Sequence, residues 1–345
     1  MIPHSRPSIS DADIARVSAV LRAGQLAQGP EVAALELELA ARLSVASAAV
    51  VSSGTAALEL ALRALDVGPG DEVLIPTYVC DALYHAVTRC GAAPVLVDAD
   101  PATLTLSAKD AEARRTRRTR AAIVPHAFGL AVDLEPFVAL GVPVIEDCAQ
   151  ALGAEVGGRA AGAAGTLAVC SFYATKMIAA GEGGAVLGPA ALVARVREAR
   201  DYDERERLTP HTNAKLTDLQ AALARSQLAR LEQFVARRRA IAARYRARLA
   251  GADCAVPPDP ARRHVYHRFV VSVERDPAEL QSTLAARGVA VRRPVFRPAH
   301  RALGLHGYPE AERLWATALS LPCYPALTDG EVDVVASALR EALGA

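Results

Sequence analysis

The chain has 345 residues, 52% of them apolar and 22% charged, with a formal net charge of +1. This is the composition of a globular protein long enough for two domains and a substantial core, and the near-neutral charge argues against a dedicated nucleic-acid or anionic-membrane binder. No apolar run reaches the length of a membrane span and the opening MIPHSRPSISDADIARV carries no secretory pattern, so a cytoplasmic protein is expected.

The chain opens with an amphipathic helix over about Asp11 to Ala23, a loop holding Gly24 and Gly29-Pro30, and a second helix near Val32–Leu43. Short β-prone runs follow at Ala48–Val51, Glu72–Ile75, Pro94–Val97, Ala121–Pro125, Pro143–Glu146 and Leu167–Ser171. Helical stretches at Thr55–Leu65, Cys80–Arg89, Ala108–Arg115 and Leu134–Leu140 separate most of them. Such alternation predicts an α/β fold whose mostly parallel sheet has helices on both faces, with ligands beyond the carboxyl ends of the strands. The run Arg114–Arg120 reads as an exposed loop.

From Thr217 to Leu249 the pattern predicts one long helix, with Leu219, Leu223, Leu228, Leu231 and Phe234 near a 3.6 period. Arg237, Arg238, Arg239 and Arg244 form a solvated opposite face. Gly251 to Arg262, with Pro257, Pro258 and Pro260, reads as a loop into a smaller α/β unit. That unit is expected to hold a strand at Val265–Val273, a helix at Pro277–Arg287, a strand near Val289–Arg292, and helices at Ala311–Leu319 and Asp329–Ala342. The domains are accordingly placed at 1–235 and 236–345.

Six cysteines (80, 90, 148, 170, 254 and 323) form no CxxC and no Cys/His metal spacing, so reduced thiols and no metal site are expected. Lysine occurs only at Lys109, Lys176 and Lys215.

Four segments that follow or end strands carry the candidate chemistry. Ser52-Ser53-Gly54-Thr55 opens a helix whose free N–H groups suit an anion such as phosphate, although a plain tight turn gives the same pattern. Asp147, at the end of the apolar strand Val144–Glu146, is a carboxylate that needs a partner if buried. A protonated pyridine nitrogen would serve, with Gln150 reaching the ring hydroxyl; a helix N-cap is the plainer alternative. Ser171-Phe172-Tyr173-Ala174-Thr175-Lys176 puts an amine in apolar, hydroxyl-rich surroundings, where burial makes the neutral nucleophile available for a Schiff base. Gly181-Glu182-Gly183-Gly184 reads as a tight passage back into the sheet. Together the segments supply an anion cradle, a pyridinium partner and a Schiff-base lysine.

These stretches are similar to those of the DegT/DnrJ/EryC1/StrS family of PLP-dependent sugar aminotransferases. The resemblance runs from about Arg6 to Arg340 through SSGTAAL (52–58), GPGDEVLIPTY (68–78), PVLVDAD (94–100), EDCAQALGAEVGGRAAG (146–162), SFYATK (171–176), GEGGAV (181–186), LTDLQAAL (216–223) and SLPCYPALT (320–328). It implies a fold-type I aminotransferase fold, pyridoxal 5'-phosphate as cofactor, and a homodimer with composite sites. By position it implies Lys176 as the Schiff-base lysine, Asp147 as the pyridine-nitrogen partner and Gln150 as the ring-hydroxyl contact. Ser53, Gly54, Thr55 and Ser171 become phosphate ligands, and Asn213 becomes a phosphate ligand supplied by the partner subunit. The family often stacks an aromatic residue on the ring where this chain has Cys80, with Tyr78 and Tyr84 nearby. It usually reads Asn-x-Arg where this chain has Asn213-Ala214-Lys215, and Gln25 replaces a common aromatic.

The expected reaction is a ping-pong transamination from an amino acid, L-glutamate by resemblance, to a keto sugar carried on a nucleotide. Lys176 would act as base and acid, and Tyr173, His126, His267 and Arg292 are candidate substrate-side residues. A dehydratase of the same family would carry His in place of Lys176. A non-catalytic regulatory protein need not keep Asp147, Gln150 and Lys176 together, and a dinucleotide-binding oxidoreductase would show GxGxxG where this chain has SSGTAAL.

Overall fold

A computed structural model describes residues 1–203, 210–257 and 263–344. Pro258, Pro260 and Arg262 of the expected loop lie outside the described residues.

Helix α1 (Asp11–Ala23) starts at a Ser10 capping box closed by Asp13, and α2 (Pro30–Leu43) follows. Then come β1 (Ser47–Val51), α3 (Gly54–Ala64), β2 (Glu72–Pro76), α4 (Ala82–Arg89), β3 (Ala93–Val97), α5 (Ala108–Arg114), β4 (Thr119–Pro125), α6 (Glu135–Val138) and β5 (Val144–Asp147). A small hairpin, β6 (Glu155–Val156) and β7 (Arg159–Ala160), precedes β8 (Leu167–Ser171), β9 (Gly184–Gly188) and α7 (Ala190–Ala199). The remainder is α8 (Asp218–Leu228), α9 (Leu231–Arg248), β10 (Cys254–Ala255), β11 (Phe269–Val273), α10 (Pro277–Ala286), α11 (Ala299–Ala302), α12 (Pro309–Thr317), β12 (Ala318–Leu321) and α13 (Asp329–Leu343).

Seven strands form the main sheet in the order β1-β9-β8-β5-β4-β2-β3. Neighbours pair in parallel except β9, which runs antiparallel to β1 and to β8. The strands are apolar because both faces are covered, and successive residues serve different faces. Ala49 and Val51 of β1 pack with Leu58, Leu62, Val193 and Val196 of α3 and α7. Ala48 and Val50 face the other way, onto Leu35 and Leu39 of α2 and Ala221 of α8. Each fully buried leucine is worth roughly 1.5–3 kcal/mol relative to exposure.

The expected single helix over Thr217–Leu249 is two helices. Arg230 leaves helical geometry at φ −104°, ψ 6°. No proline or glycine forces this break; Arg230 instead turns to Asp13 and to the Ser8 carbonyl at 3.1 Å, fastening α1 at the junction. Beyond it, α9 crosses between cores: Leu231 and Val235 pack under the large sheet, while Ile241, Ala242 and Tyr245 enter the core around the three-stranded sheet β10-β11-β12. Arg238 is buried rather than solvated, its guanidinium capping the carbonyls of Tyr266, His267 and Cys323.

Three further expectations change. Residues near Val289–Arg292 make only isolated bridges, Val289 with Ile2 and Arg292 with Ser320. The helix expected to reach Leu319 stops at Thr317, and the strand β12 pairs with β11. Within Arg114–Arg120, Thr119 and Arg120 belong to β4, and Thr116 and Arg118 hold the Glu72 carboxylate.

Candidate active site

Strands β1, β2, β4, β5 and β8 share a direction, so their carboxyl ends open on one side of the sheet. The four segments that carry the candidate chemistry converge there. A cavity of about 280 Å³ is lined by Ser53, Gly54, Thr55, Cys80, Asp147, Ser171, Tyr173 and Lys176 among others. A smaller adjoining space shares Cys80, Asp147 and Lys176 and adds Tyr78, His126, Phe128 and Gln150.

The floor of the cavity is the start of α3. Ser53 is its N-cap and accepts from the Ala56 N–H at 3.1 Å. Two glycines bring this turn against neighbouring strands. A Cβ on Gly54 would stand 2.8 Å from Ser171 Cβ, and one on Gly184 would stand 2.5 Å from the Ser53 carbonyl oxygen. The first-turn N–H groups of α3 therefore face the cavity beside Ser171, with the positive end of the helix behind them.

Asp147 ends β5 with 8% of its surface exposed. One carboxylate oxygen accepts from the Ala149 N–H at 2.9 Å, and the other has no hydrogen bond among the described residues. Burial pushes this carboxyl up; the Ala149 N–H, Lys176 and His126 act against it. The N-cap alternative fails, because residues 148–154 are not helical. Lys176 is set below the ordinary lysine range, first by burial; Cys80 and Asp147 oppose the shift and Arg268 adds to it. Cys80 is open to solvent through the cavity mouth, yet is recessed enough that burial, in the first place, raises its thiol.

Gln150 differs from expectation in one detail. Its Oε1 accepts from the Phe128 N–H at 2.8 Å, and its amide NH₂ has no hydrogen-bond partner among the described residues, while the residue lines the smaller space. Phe128 sits at φ 57°, ψ 9°, a conformation rare outside glycine, and is held by this bond and by the Arg268 N–H donating to its carbonyl at 3.1 Å.

The remaining candidates separate. His126 is buried: its Nδ1 accepts from the Val132 N–H at 3.1 Å, so Nε2 carries the proton and donates to Glu146 at 3.0 Å. Glu146 also accepts from the N–H groups of Gly162, Ala164 and Gly165 at 2.7, 2.7 and 2.5 Å. These groups and Cys148 cluster closely enough for a metal, but the His126 and Glu146 atoms are already engaged with each other and with the backbone. Tyr173 is exposed at the cavity edge, and His267 lies behind it, its Nε2 donating to the Thr175 carbonyl at 3.1 Å. Arg292 is exposed and lines neither space. Tyr78 is buried edge-on to Phe128 at 6.4 Å, and Tyr84 sits on α4 against His85. Asn213 is exposed and outside the cavity, while Lys215 is tied to Asp201 and Asp203 at 2.5 and 2.9 Å.

Sequence reasoning missed Glu146, Phe128 and Arg268. For Glu146 a signal existed: a second acid inside an apolar strand, followed by the glycine-rich stretch 157–165 whose N–H groups it takes. Phe128 carries no such signal, since its strain arises from contacts with Gln150 and Arg268.

The profile of the DegT/DnrJ/EryC1/StrS aminotransferase family matches residues 7–340. A dTDP-3-amino-3,4,6-trideoxy-alpha-D-glucose transaminase of Streptomyces venezuelae is 38% identical over 96% of this chain and 91% of its own. A UDP-N-acetyl-3-dehydro-alpha-D-glucosamine 3-aminotransferase of Acidithiobacillus ferrooxidans is 35% identical, covering 97% and 95%. Among solved structures, S. venezuelae DesV in complex with a ketimine intermediate superposes with a TM-score of 0.91 at 35% identity, covering 99% of both chains. Matched over nearly its whole length in both sequence and fold, the chain belongs to the DegT/DnrJ/EryC1/StrS aminotransferase family.

Proposed function

We propose that this chain is a pyridoxal-phosphate-dependent enzyme that takes an amino group from L-glutamate and delivers it to a keto carbon of a nucleotide-linked sugar. The observation that carries the proposal is the shared cavity of Lys176 and Asp147: a half-buried lysine whose recessed amine is depressed toward its neutral form, and a buried acid with one oxygen unengaged among the described residues. The names of the two relatives, both nucleotide-sugar aminotransferases, support the acceptor class.

The residues fit the cofactor. The free oxygen of Asp147 needs a cationic or N–H partner, which a pyridinium supplies. Gln150 offers its unpaired NH₂ to a ring hydroxyl, and the N–H groups at Gly54 and Thr55, with the hydroxyls of Ser53, Thr55 and Ser171, offer a phosphate cradle. Lys176 would hold the aldehyde as a Schiff base. Cys80, which lines both spaces, would stand where the family often places an aromatic residue against the ring.

When bound, the cofactor supplies an electron sink for the carbon that loses its proton. The chain does the rest. Asp147 keeps the sink cationic, and Lys176 Nζ takes the proton from one carbon and returns it to the other. The α3 N-terminus would hold the anionic end of the cofactor. Asn213, exposed here, is proposed to reach the phosphate of a partner subunit in a homodimer.

The test is a half-reaction. Holoenzyme mixed with L-glutamate is expected to release one 2-oxoglutarate per site, and borohydride reduction to fix the cofactor on the peptide carrying Lys176. Label on another peptide would overturn the assignment, and water loss from the sugar without amine transfer would favour the dehydratase.

A further inference from the structure

Arg268 is a cation without a counter-charge. Its guanidinium meets only the His4 ring, at 3.1 and 3.2 Å from the two nitrogens, and no carboxylate pairs with it among the described residues. The other arginines recessed in the protein are satisfied differently: Arg200 pairs with Glu36 at 2.6 Å, and Arg238 caps carbonyls. Burial and then Arg238 lower Arg268 to about 10, so it stays charged near neutral pH. His4 brings no charge; burial, then Arg268 and Arg292, take it down to about 3. Setting a cation in a recess with no acid is costly unless an anion arrives to match it.

The recess is close to the chemistry. Arg268 lines a cavity of about 160 Å³ that shares Tyr78, Leu104, Ala127 and Phe128 with the space containing Lys176 and Gln150. Its N–H holds Phe128, its neighbour His267 holds the Thr175 carbonyl next to Lys176, and its charge is felt at the Lys176 amine. His267 is 5% exposed and its Nδ1 has no partner, so the polar groups of this corner are not closed by the protein alone. Lys215 is no substitute, because two aspartates already neutralise it.

We propose that Arg268, oriented by His4, receives a carboxylate of the amino donor. The inference rests on the aminotransferase reading and names the residue that selects the donor. A planar guanidinium pairs with a carboxylate through two parallel N–H···O bonds, and a charge-assisted contact of this kind changes affinity by about 10- to 100-fold.

Calorimetric titration of the holoenzyme with glutarate, a dicarboxylate with no amine to react, tests this. Arg268→Met is expected to weaken glutarate binding by about 10- to 100-fold and to raise the KM for glutamate alike, leaving the KM of the keto-sugar acceptor unchanged. Arg268→Lys is expected to recover part of the loss. Should the Met variant not fold, Arg268→Lys and Arg268→Gln carry the same comparison. Unchanged glutarate affinity in a folded variant overturns the proposal, as does a loss confined to the acceptor KM. A wild-type enzyme that binds glutarate through Arg268 yet forms no 2-oxoglutarate would sink the aminotransferase reading and leave the carboxylate site standing.

Discussion

Glu146 and Asp147 are adjacent in one strand and point to opposite fates: the first is saturated by His126 and three backbone N–H groups, the second keeps an oxygen free toward the cavity. The period-2 geometry of a strand causes this, since neighbours face opposite sides. Glu146 thereby fixes the end of β5 from behind, while Asp147 faces the cavity.

Glu146→Gln is expected to cost about 3 kcal/mol, because the amide cannot accept all the donors aimed at the carboxylate. Burial opposes ionisation of Glu146, but the His126 bond and charge and the glycine N–H groups outweigh it and hold the carboxyl below its ordinary value of 4.5. A depressed folded value means that this stabilisation is present above the unfolded value and lost as pH falls through the folded one. Urea midpoints from pH 7 to pH 3 should fall for the wild type and fall less for the variant.

Asp147→Asn is expected to behave in the opposite sense. Burial raises this carboxyl in the folded chain, so the cofactor-free protein loses stability as pH rises from the unfolded value through the folded one. The isosteric amide removes that penalty. Cofactor-free protein should therefore melt at the same or a higher temperature near pH 7, while the half-reaction rate falls by about 10²- to 10³-fold. A lower melting temperature would make Asp147 a structural acid.

Gly54→Ala is expected to weaken phosphate binding without unfolding the chain. The added methyl meets Ser171 Cβ at 2.8 Å, an atom held by the strand backbone, so the start of α3 must move away from Ser171. Cofactor affinity, followed by fluorescence, should drop about tenfold. Gly184→Ala meets backbone oxygen at 2.5 Å instead and should fold poorly.

Subunit mixing tests Asn213. Lys176→Ala homodimers should be inactive and Asn213→Ala homodimers should hold the cofactor weakly. If each site takes Lys176 from one subunit and Asn213 from the other, a hybrid of the two variants carries one intact site and recovers up to roughly half of the wild-type activity. No recovery would place Asn213 outside the shared site.

The strands of the main sheet were largely legible because a doubly covered sheet writes itself as apolar runs between helical periods, and Ser53, Asp147, Ser171 and Lys176 stood out because strand ends are where such sheets bind ligands. The break at Arg230 was not legible, since it depends on Asp13 and Ser8, more than 200 residues away in sequence. Arg238 misled for a related reason: a helical arginine reads as solvated until the carbonyls that it caps are known. Strand β12 was hidden by the helix α12 directly before it, whose apolar spacing runs on into Ala318 and Leu319.

The antiparallel strand β9 sits between β1 and β8, and Gly184 fills the gap between Ser53 and Ser171. Ser52 is in turn tied to Ala214 through its N–H at 2.8 Å. The start of α3 is thus held by segments far apart in the chain, and a ribosome must have released residues beyond 214 before it can close. A nascent chain that ends soon after SSGT lacks Ser171, Gly184 and Ala214, so this turn reaches its packed form only after most of synthesis.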